Sequence, residues 1–426
     1  MNETYSRSVV LSRLINFLQG HSGVSNDVIN QLIAFLNNNL LPEIFEHGGV
    51  GASGDLTQLA HLGLNLIGEG HVYHNGERIK TADALKKLKI SPLKLQLRDG
   101  LGIINGTSCM SGIGAVNLVY AYRLLNWSIA SSAIVNEIVS SFDDSFSEEL
   151  NSVKRHKGQQ QIAAKIRSFL SDSKLIRNRI ELFEDHSEFQ REEFTSKIQE
   201  YYSIRCVPQI LGPIADTLDY TKQILEDEIN STNDNPVVMP DEDNVFHGGN
   251  FHGDYISLEM DKLKLALTKL SMLAERQLNF LLNDRLNEKF PPFLNAEKLG
   301  LNFGLQGAQY TATSTTAENQ ALCNSMYVHS IPSNKDNQDI VSMGTNSAII
   351  TKKVLENSFQ VMSIHLIAIC QAIDLLDKAE KEKLSSKTKK VYSLIRRKVN
   401  FITDDISHSD AINAVYDFIR EHKFSI

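Results

Sequence analysis

Apolar side chains recur along most of this chain at three- and four-residue steps, the spacing that gathers them on one face of a helix. Val9, Val10, Leu14 and Leu18 open the pattern, Gly20 and Gly23 stop it, and Val28 to Leu40 predict a second helix. Pro42 to Gly51 reads as a loop. Asp55 stands where an N-cap belongs, ahead of Leu59, Leu62, Leu66 and Ile67, and Gly68 and Gly70 end that helix. Asn75-Gly76, between short alternating runs from Val72 to Ile79, predicts a hairpin, the one β element expected.

Downstream, helices are expected over Cys109 to Leu125, Ala130 to Ser141 and Ile162 to Leu170. Ile256, Met260, Leu263, Leu267, Leu270 and Ala274 form the narrow stripe of a helix packed lengthwise on others. Ile349, Leu355, Phe359, Met362, Leu366, Ile369 and Ile373 predict a second long helix, apolar over more than half its circumference and so central or between subunits. Lys378 to Lys390 reads as a solvated loop or frayed helix. No solenoid repeat and no low-complexity linker divides the chain. The expected class is mainly α, a bundle of long helices with one short hairpin.

Composition narrows the function more than the fold. With 42% hydrophobic and 22% charged residues the chain is an ordinary globular one, and a net charge of -8 removes the electrostatic reason to expect nucleic acid or an anionic membrane as partner. Cys109, Cys206, Cys323 and Cys370 are far apart and read as free thiols, not metal ligands. The first residues show no basic stretch followed by an uninterrupted apolar core, since Val9 to Leu18 carries Arg13 and Asn16, and a cytoplasmic location is expected. His71 and His74 fall on the hairpin without a carboxylate to complete a zinc site, and no glycine-rich loop follows a strand, so neither metal nor nucleotide is expected.

Ala52-Ser53-Gly54 alone is a turn-like sequence. Its surroundings, His47-Gly48-Gly49-Val50-Gly51 before and Asp55-Leu56 after, resemble the signature of the aromatic amino acid ammonia-lyases that act on histidine, phenylalanine or tyrosine. The resemblance recurs as separate motifs, in order, along nearly the whole chain. In that family an Ala-Ser-Gly triplet closes into 4-methylidene-imidazol-5-one. The residue types fit the chemistry: the Gly54 nitrogen must attack the Ala52 carbonyl, which only glycine leaves uncrowded, and Ser53 must lose water to leave an electrophilic methylidene. Glycines 48, 49 and 51 permit a compressed backbone, and a helix starting at Asp55 would turn its positive end toward the ring.

Further motifs extend the resemblance. Gly102-Ile103-Ile104-Asn105-Gly106-Thr107 implies that Asn105 hydrogen-bonds the ring and the substrate amine; read alone, Asn105 would serve equally as a cap before Ser108. Tyr202-Ser203-Ile204-Arg205 implies a pocket-lining Tyr202 and an Arg205 that holds the substrate carboxylate with two parallel donors. Gln199, Asn235 in Asn233-Asp234-Asn235-Pro236, Phe251 in Gly248-Gly249-Asn250-Phe251, Glu318 and Gln338 are implied as substrate-binding residues.

The resemblance implies the fumarase/aspartase-like helical bundle, divided into a cofactor-forming part at 1–110, a long-helix bundle at 111–377 and a helical tail at 378–426. It implies a homotetramer that eliminates ammonia from an aromatic L-amino acid to give an α,β-unsaturated acid. Asn337-Gln338-Asp339 resembles the tyrosine and phenylalanine enzymes more than the histidine ones, favouring those substrates. The family's Tyr-Gly lid motif, whose Tyr takes the β-proton, is not found before Arg7-Ser8-Val9, and the catalytic base is therefore expected to be missing from this chain. An incomplete version of a longer enzyme, a lid supplied by another chain and a catalytically silent paralogue or subunit are the alternatives this raises; a 2,3-aminomutase using the same ring is the rival enzyme.

Overall fold

The computed structural model describes residues 1–179 and 199–424. They form two compact units: 1–119 with 219–264 and 324–353, and 120–218 with 265–323 and 354–426. Both units are discontinuous, because each boundary falls inside a long helix or beside one. The linear division at 110 and 377 does not describe this grouping.

In the first unit, helix Glu3–Leu18 buries Val9, Val10 and Leu14 of the predicted stripe, together with Tyr5 and Phe17, while Leu18, the last residue of that stripe, is exposed. Arg13 and Asn16, polar interruptions of the apolar run, are themselves buried. Helices Asn26–Asn37 and Leu56–Leu66 follow. The predicted hairpin pairs His71–His74 with Glu77–Lys80 through Asn75 and Gly76, both at positive φ, which matches the right-handed strand twist. Leu41 and Pro42, the latter expected to open a loop, add a short third strand beside it. A second ribbon, Val237–Met239 with Asn244–Phe246, has no counterpart among the predicted elements. Its strands are three residues long, and Val245 and Phe246 are exposed, so there is no alternation to read.

One buried carboxylate holds both ends of the 324–346 segment in this unit. Asp261 accepts Ser325 Oγ at 2.6 Å, Tyr327 N at 2.9 Å and Ser347 Oγ at 2.7 Å, and pairs with the fully buried Lys264 at 2.8 Å. Lys264 Nζ also donates to the Asn324 carbonyl at 2.7 Å. Burial raises the Asp261 pKa, yet these bonds outweigh it and the net direction is down.

The second unit is helical. The two helices expected over 109–141 are one, Ser108–Ile138. No glycine or proline breaks it at the apparent gap, and the polar residues there are satisfied: Asn126 Nδ2 donates to the Phe424 carbonyl at 3.1 Å and Trp127 Nε1 to that of Ile419 at 3.1 Å. Helix Gly344–Leu375 is long and apolar enough to cross a membrane, but 83% of its apolar window is buried within the protein. The stretch 378–390 is neither loop nor frayed. It holds helix Lys378–Lys383, started by an Asp377–Glu380 capping box, and the start of helix Ser386–Arg396, capped by Ser385. Buried Glu137 accepts from Ser385 N and Thr388 Oγ1, fixing that second cap.

Candidate active site

Residues 51–54 make a tight turn in the first unit, with Gly51, Ser53 and Gly54 at φ of 80°, 51° and 76°. Ser53 is the one non-glycine in the left-handed region here, a strain of roughly 1–2 kcal/mol. A Cβ on Gly54 would lie 2.1 Å from the Gly106 carbonyl oxygen, and one on Gly51 would lie 2.3 Å from Ser342 Oγ. Ala52 is buried against Val341, Met343 and Met326. Ser53 keeps partial exposure. The turn is therefore packed on both flanks and open at the serine.

The Ser53 carbonyl oxygen receives two donors, Asn105 Nδ2 at 3.2 Å and Gly106 N at 3.2 Å. The Gly106 carbonyl in return accepts Asp55 N at 2.8 Å. Two N–H groups aimed at one carbonyl form the arrangement that stabilises negative charge on that oxygen. Asn105 is itself held in place, since its Oδ1 accepts Asn235 N at 2.7 Å, and Asn235 Oδ1 accepts Gly248 N at 2.6 Å. Asn105 ends helix Asp99–Ile104 with extended backbone and does not cap the helix at Ser108.

Asp55 is the residue before helix Leu56–Leu66, but its side chain makes no bond into that helix. Instead Oδ2 accepts the N–H groups of Cys109 at 2.9 Å and Met110 at 2.8 Å, capping the start of helix Ser108–Ile138, while Thr345 Oγ1 donates to Oδ1. The positive end of helix Leu56–Leu66 thus stays uncapped beside the triplet, as a stabiliser of negative charge there. Burial pushes the Asp55 carboxyl up to about 6, against the bonds from Thr345, Met110 and Cys109.

A folded-state pKa above the unfolded 3.8 means the folded protein binds this proton more tightly. The associated stability is complete below pH 3.8 and is lost as pH rises through about 6, a change of about 3 kcal/mol. In urea titrations, the stability of the natural chain minus that of Asp55→Asn should fall by most of this amount, about 2 kcal/mol, between pH 4 and pH 7. A difference independent of pH would refute the assignment.

The remaining first-unit candidates are less closely joined. Phe251, partly buried, lies in the turn before Gly253, where a Cβ would come 3.1 Å from the Ser342 Oγ that also limits Gly51. Gln338 lies in a loop. Its N donates to the Ser333 carbonyl at 3.3 Å and its Oε1 accepts Ser333 Oγ at 3.0 Å.

In the second unit, Gln199, Tyr202 and Arg205 line two adjoining cavities of about 620 and 760 Å³. The turn of helix Tyr202–Arg205 is pinned at its backbone: Gln277 Nε2 donates to the Ser203 carbonyl at 2.8 Å and Asn136 Nδ2 to that of Ile204 at 3.2 Å. The Arg205 guanidinium sits 4.9 Å from the Tyr202 ring centroid, and its buried Nε has no partner among the described residues. An oriented guanidinium with donor capacity to spare, at the wall of a cavity, suits a carboxylate. Glu318 lies apart from both cavities, exposed on helix Gln306–Leu322, and accepts Asn357 Nδ2 at 2.7 Å.

With this geometry in view, a family model described as "Aromatic amino acid lyase" matches residues 1–397. The chain belongs to that family. As a member of this lyase family it is 37% identical to a tyrosine 2,3-aminomutase of Chondromyces crocatus, over 97% of this chain and 78% of that one. It is equally 37% identical to a histidine ammonia-lyase of Caldanaerobacter subterraneus subsp. tengcongensis, over 98% of this chain and 78% of that one. The structure of a tyrosine aminomutase from Streptomyces globisporus superposes with a TM-score of 0.94 at 36% identity, covering 99% of this chain and 80% of the other. Family membership makes this a carbon–nitrogen lyase fold, and equal identity to tyrosine and histidine enzymes leaves the substrate to the residues of the site.

Arg13 and Gly106 are the site residues that local pattern does not single out. In the sequence Gly106 is only one member of a motif, and Arg13 only a polar break in an apolar run. The available signal is a charged residue at a helix position that periodicity assigns to the core.

Proposed function

We propose that this chain forms 4-methylidene-imidazol-5-one from Ala52, Ser53 and Gly54 and uses it to eliminate ammonia from an aromatic L-amino acid, tyrosine or phenylalanine before histidine. The observation that carries the reading is the Ser53 carbonyl with its two donors, set in a cradle that excludes a Cβ at Gly54. The residues present fit the group: Gly54 has room for no larger residue type, Ala52 is buried, and the donors meet the oxygen that becomes the ring carbonyl. When formed, the group supplies an electrophilic methylidene for the substrate amine.

The chain's own residues then have distinct roles. Asn105 and the Gly106 amide take up negative charge on the Ser53 oxygen, Asn235 fixes Asn105, Arg205 holds the substrate carboxylate bidentately beside Tyr202, and the β-proton passes to the Tyr of a lid supplied by another chain. A homotetramer working in the cytoplasm, without metal or nucleotide, completes the reading. Likeness to two tyrosine aminomutases supports a second reading, in which ammonia returns to the β-carbon.

Intact-mass measurement and product analysis test these together. The purified chain should weigh two waters less than its sequence, and incubation with tyrosine, phenylalanine and histidine should give an ultraviolet-absorbing unsaturated acid from one of the first two when a Tyr-bearing lid segment is supplied, and far less without it. A β-amino acid as the main product would favour the aminomutase. A chain of full mass with no product would overturn the reading and leave a silent subunit.

A further inference from the structure

Arg13 is wholly buried, yet nothing in the chemistry above uses it. Its Nη2 donates to the Asn105 carbonyl at 2.5 Å and also to that of Gly102. Its Nη1 reaches Asn233 Oδ1 at 3.3 Å and Ser108 Oγ at 3.4 Å. Asp234 Oδ2 lies 3.8 Å away and is shared with Arg98 at 3.3 Å, and the guanidinium stacks 4.4 Å from the Phe17 ring centroid. Burial lowers the Arg13 pKa to about 10, with Asp234 and Asp55 opposing, so it stays charged at neutral pH. A Cβ on Gly106 would lie 2.5 Å from Nη1, so the backbone closes directly on the cation.

The contact with Asn105 matters because of the peptide it belongs to. The Asn105 carbonyl and the Gly106 N–H are two ends of one peptide unit, and that N–H is one of the two donors to the Ser53 oxygen. A cation bonded to the carbonyl end draws electron density along the amide and makes the N–H end a stronger donor. The same guanidinium ties together the segments of Asn105 and Asn233–Asn235, between which the Asn235 N to Asn105 Oδ1 bond runs.

We propose that Arg13 is a positioning residue for the Ser53 carbonyl: through the Asn105–Gly106 peptide it strengthens and aims both donors on that oxygen. The inference rests on the reading that Ser53 belongs to the ring-forming triplet. It adds a charge that acts through an intervening peptide and never touches the triplet.

Arg13→Met and Arg13→Lys test it, with Arg98→Met as the control. Arg98→Met removes the other cation on Asp234 and leaves the Asn105 carbonyl held. Lys keeps the charge but lacks the second nitrogen that reaches Asn233 Oδ1 and Ser108 Oγ while the first holds the Gly102 and Asn105 carbonyls. At matched thermal stability, both Arg13 variants should lose the two waters about tenfold more slowly than Arg98→Met, followed by intact mass after synthesis of the chain. They should also lower kcat with little change in KM.

In a Ser53→Ala background, where no ring forms, hydrogen exchange of the peptide containing Gly106 should be faster with Arg13→Met than with Arg98→Met. Equal exchange in these two variants overturns the Arg13 proposal whatever the mass shows. A natural chain of full mass, with the exchange difference present, instead sinks the ring-forming reading and leaves the role of Arg13 at the Ser53 oxygen standing.

Discussion

Gly54→Ala should give a folded chain of full mass, with no loss of water and with product formation down by about 10³-fold or more. At φ of 76° an L-residue is strained, and the added Cβ would stand 2.1 Å from the Gly106 carbonyl oxygen, well inside any tolerated contact. That atom belongs to backbone and cannot swing aside as a flexible side-chain end could. The 105–106 segment must therefore move, which breaks the Asp55 N to Gly106 O bond of 2.8 Å and pulls the Gly106 amide off the Ser53 oxygen. The nucleophile for ring closure becomes crowded as its supporting donors leave. Circular dichroism should show helix content retained, because the long helices do not depend on this turn. A Gly54→Ala chain that still weighs two waters less than its sequence would refute the assignment of the triplet.

Asn105→Ala should lower turnover by about 10²–10³-fold, the usual effect of removing one donor from an oxygen that gains charge. It should also cost stability, roughly 1–3 kcal/mol, since Asn235 N loses its buried acceptor. Asn105→Asp separates the two effects. A carboxylate keeps the bond from Asn235 N but offers no donor and sets an oxygen against the Ser53 carbonyl oxygen, so turnover should fall at least as far as in Asn105→Ala although that bond is retained. Steady-state kinetics with urea denaturation on both variants makes the comparison, and Asn105→Asp with near-natural turnover would refute the donor role.

The sequence by itself determined helices with a clear apolar stripe, such as Asp254–Leu282 and Gly344–Leu375, because a 3.6-residue period is a local property that such a segment carries alone, whereas Val207–Ile229 and Gln306–Leu322 have no counterpart among the predicted helices. It also determined the hairpin at Asn75-Gly76, where two residues that tolerate positive φ decide the turn. Family membership was legible too, in motifs such as Gly48 to Leu56 that are contiguous in the chain. Local pattern failed where the deciding partner is distant. The helix through Trp127 continues because groups near 419 and 424 satisfy it, and the helices after 378 are ordered by Glu137.

The same limit governed the site. That Asn105 meets Ser53 across 52 positions, and Asn235 across 130, follows from packing alone. Asp55 has the sequence position of a cap for its own helix, but the structure sends its carboxylate to another. Arg13 has the look of a polar defect in an apolar stripe. Only the tertiary structure reveals what makes its burial tolerable, since the carbonyls and carboxylate that satisfy a buried guanidinium come from residues 102, 105, 233 and 234, whose meeting no spacing along the chain encodes.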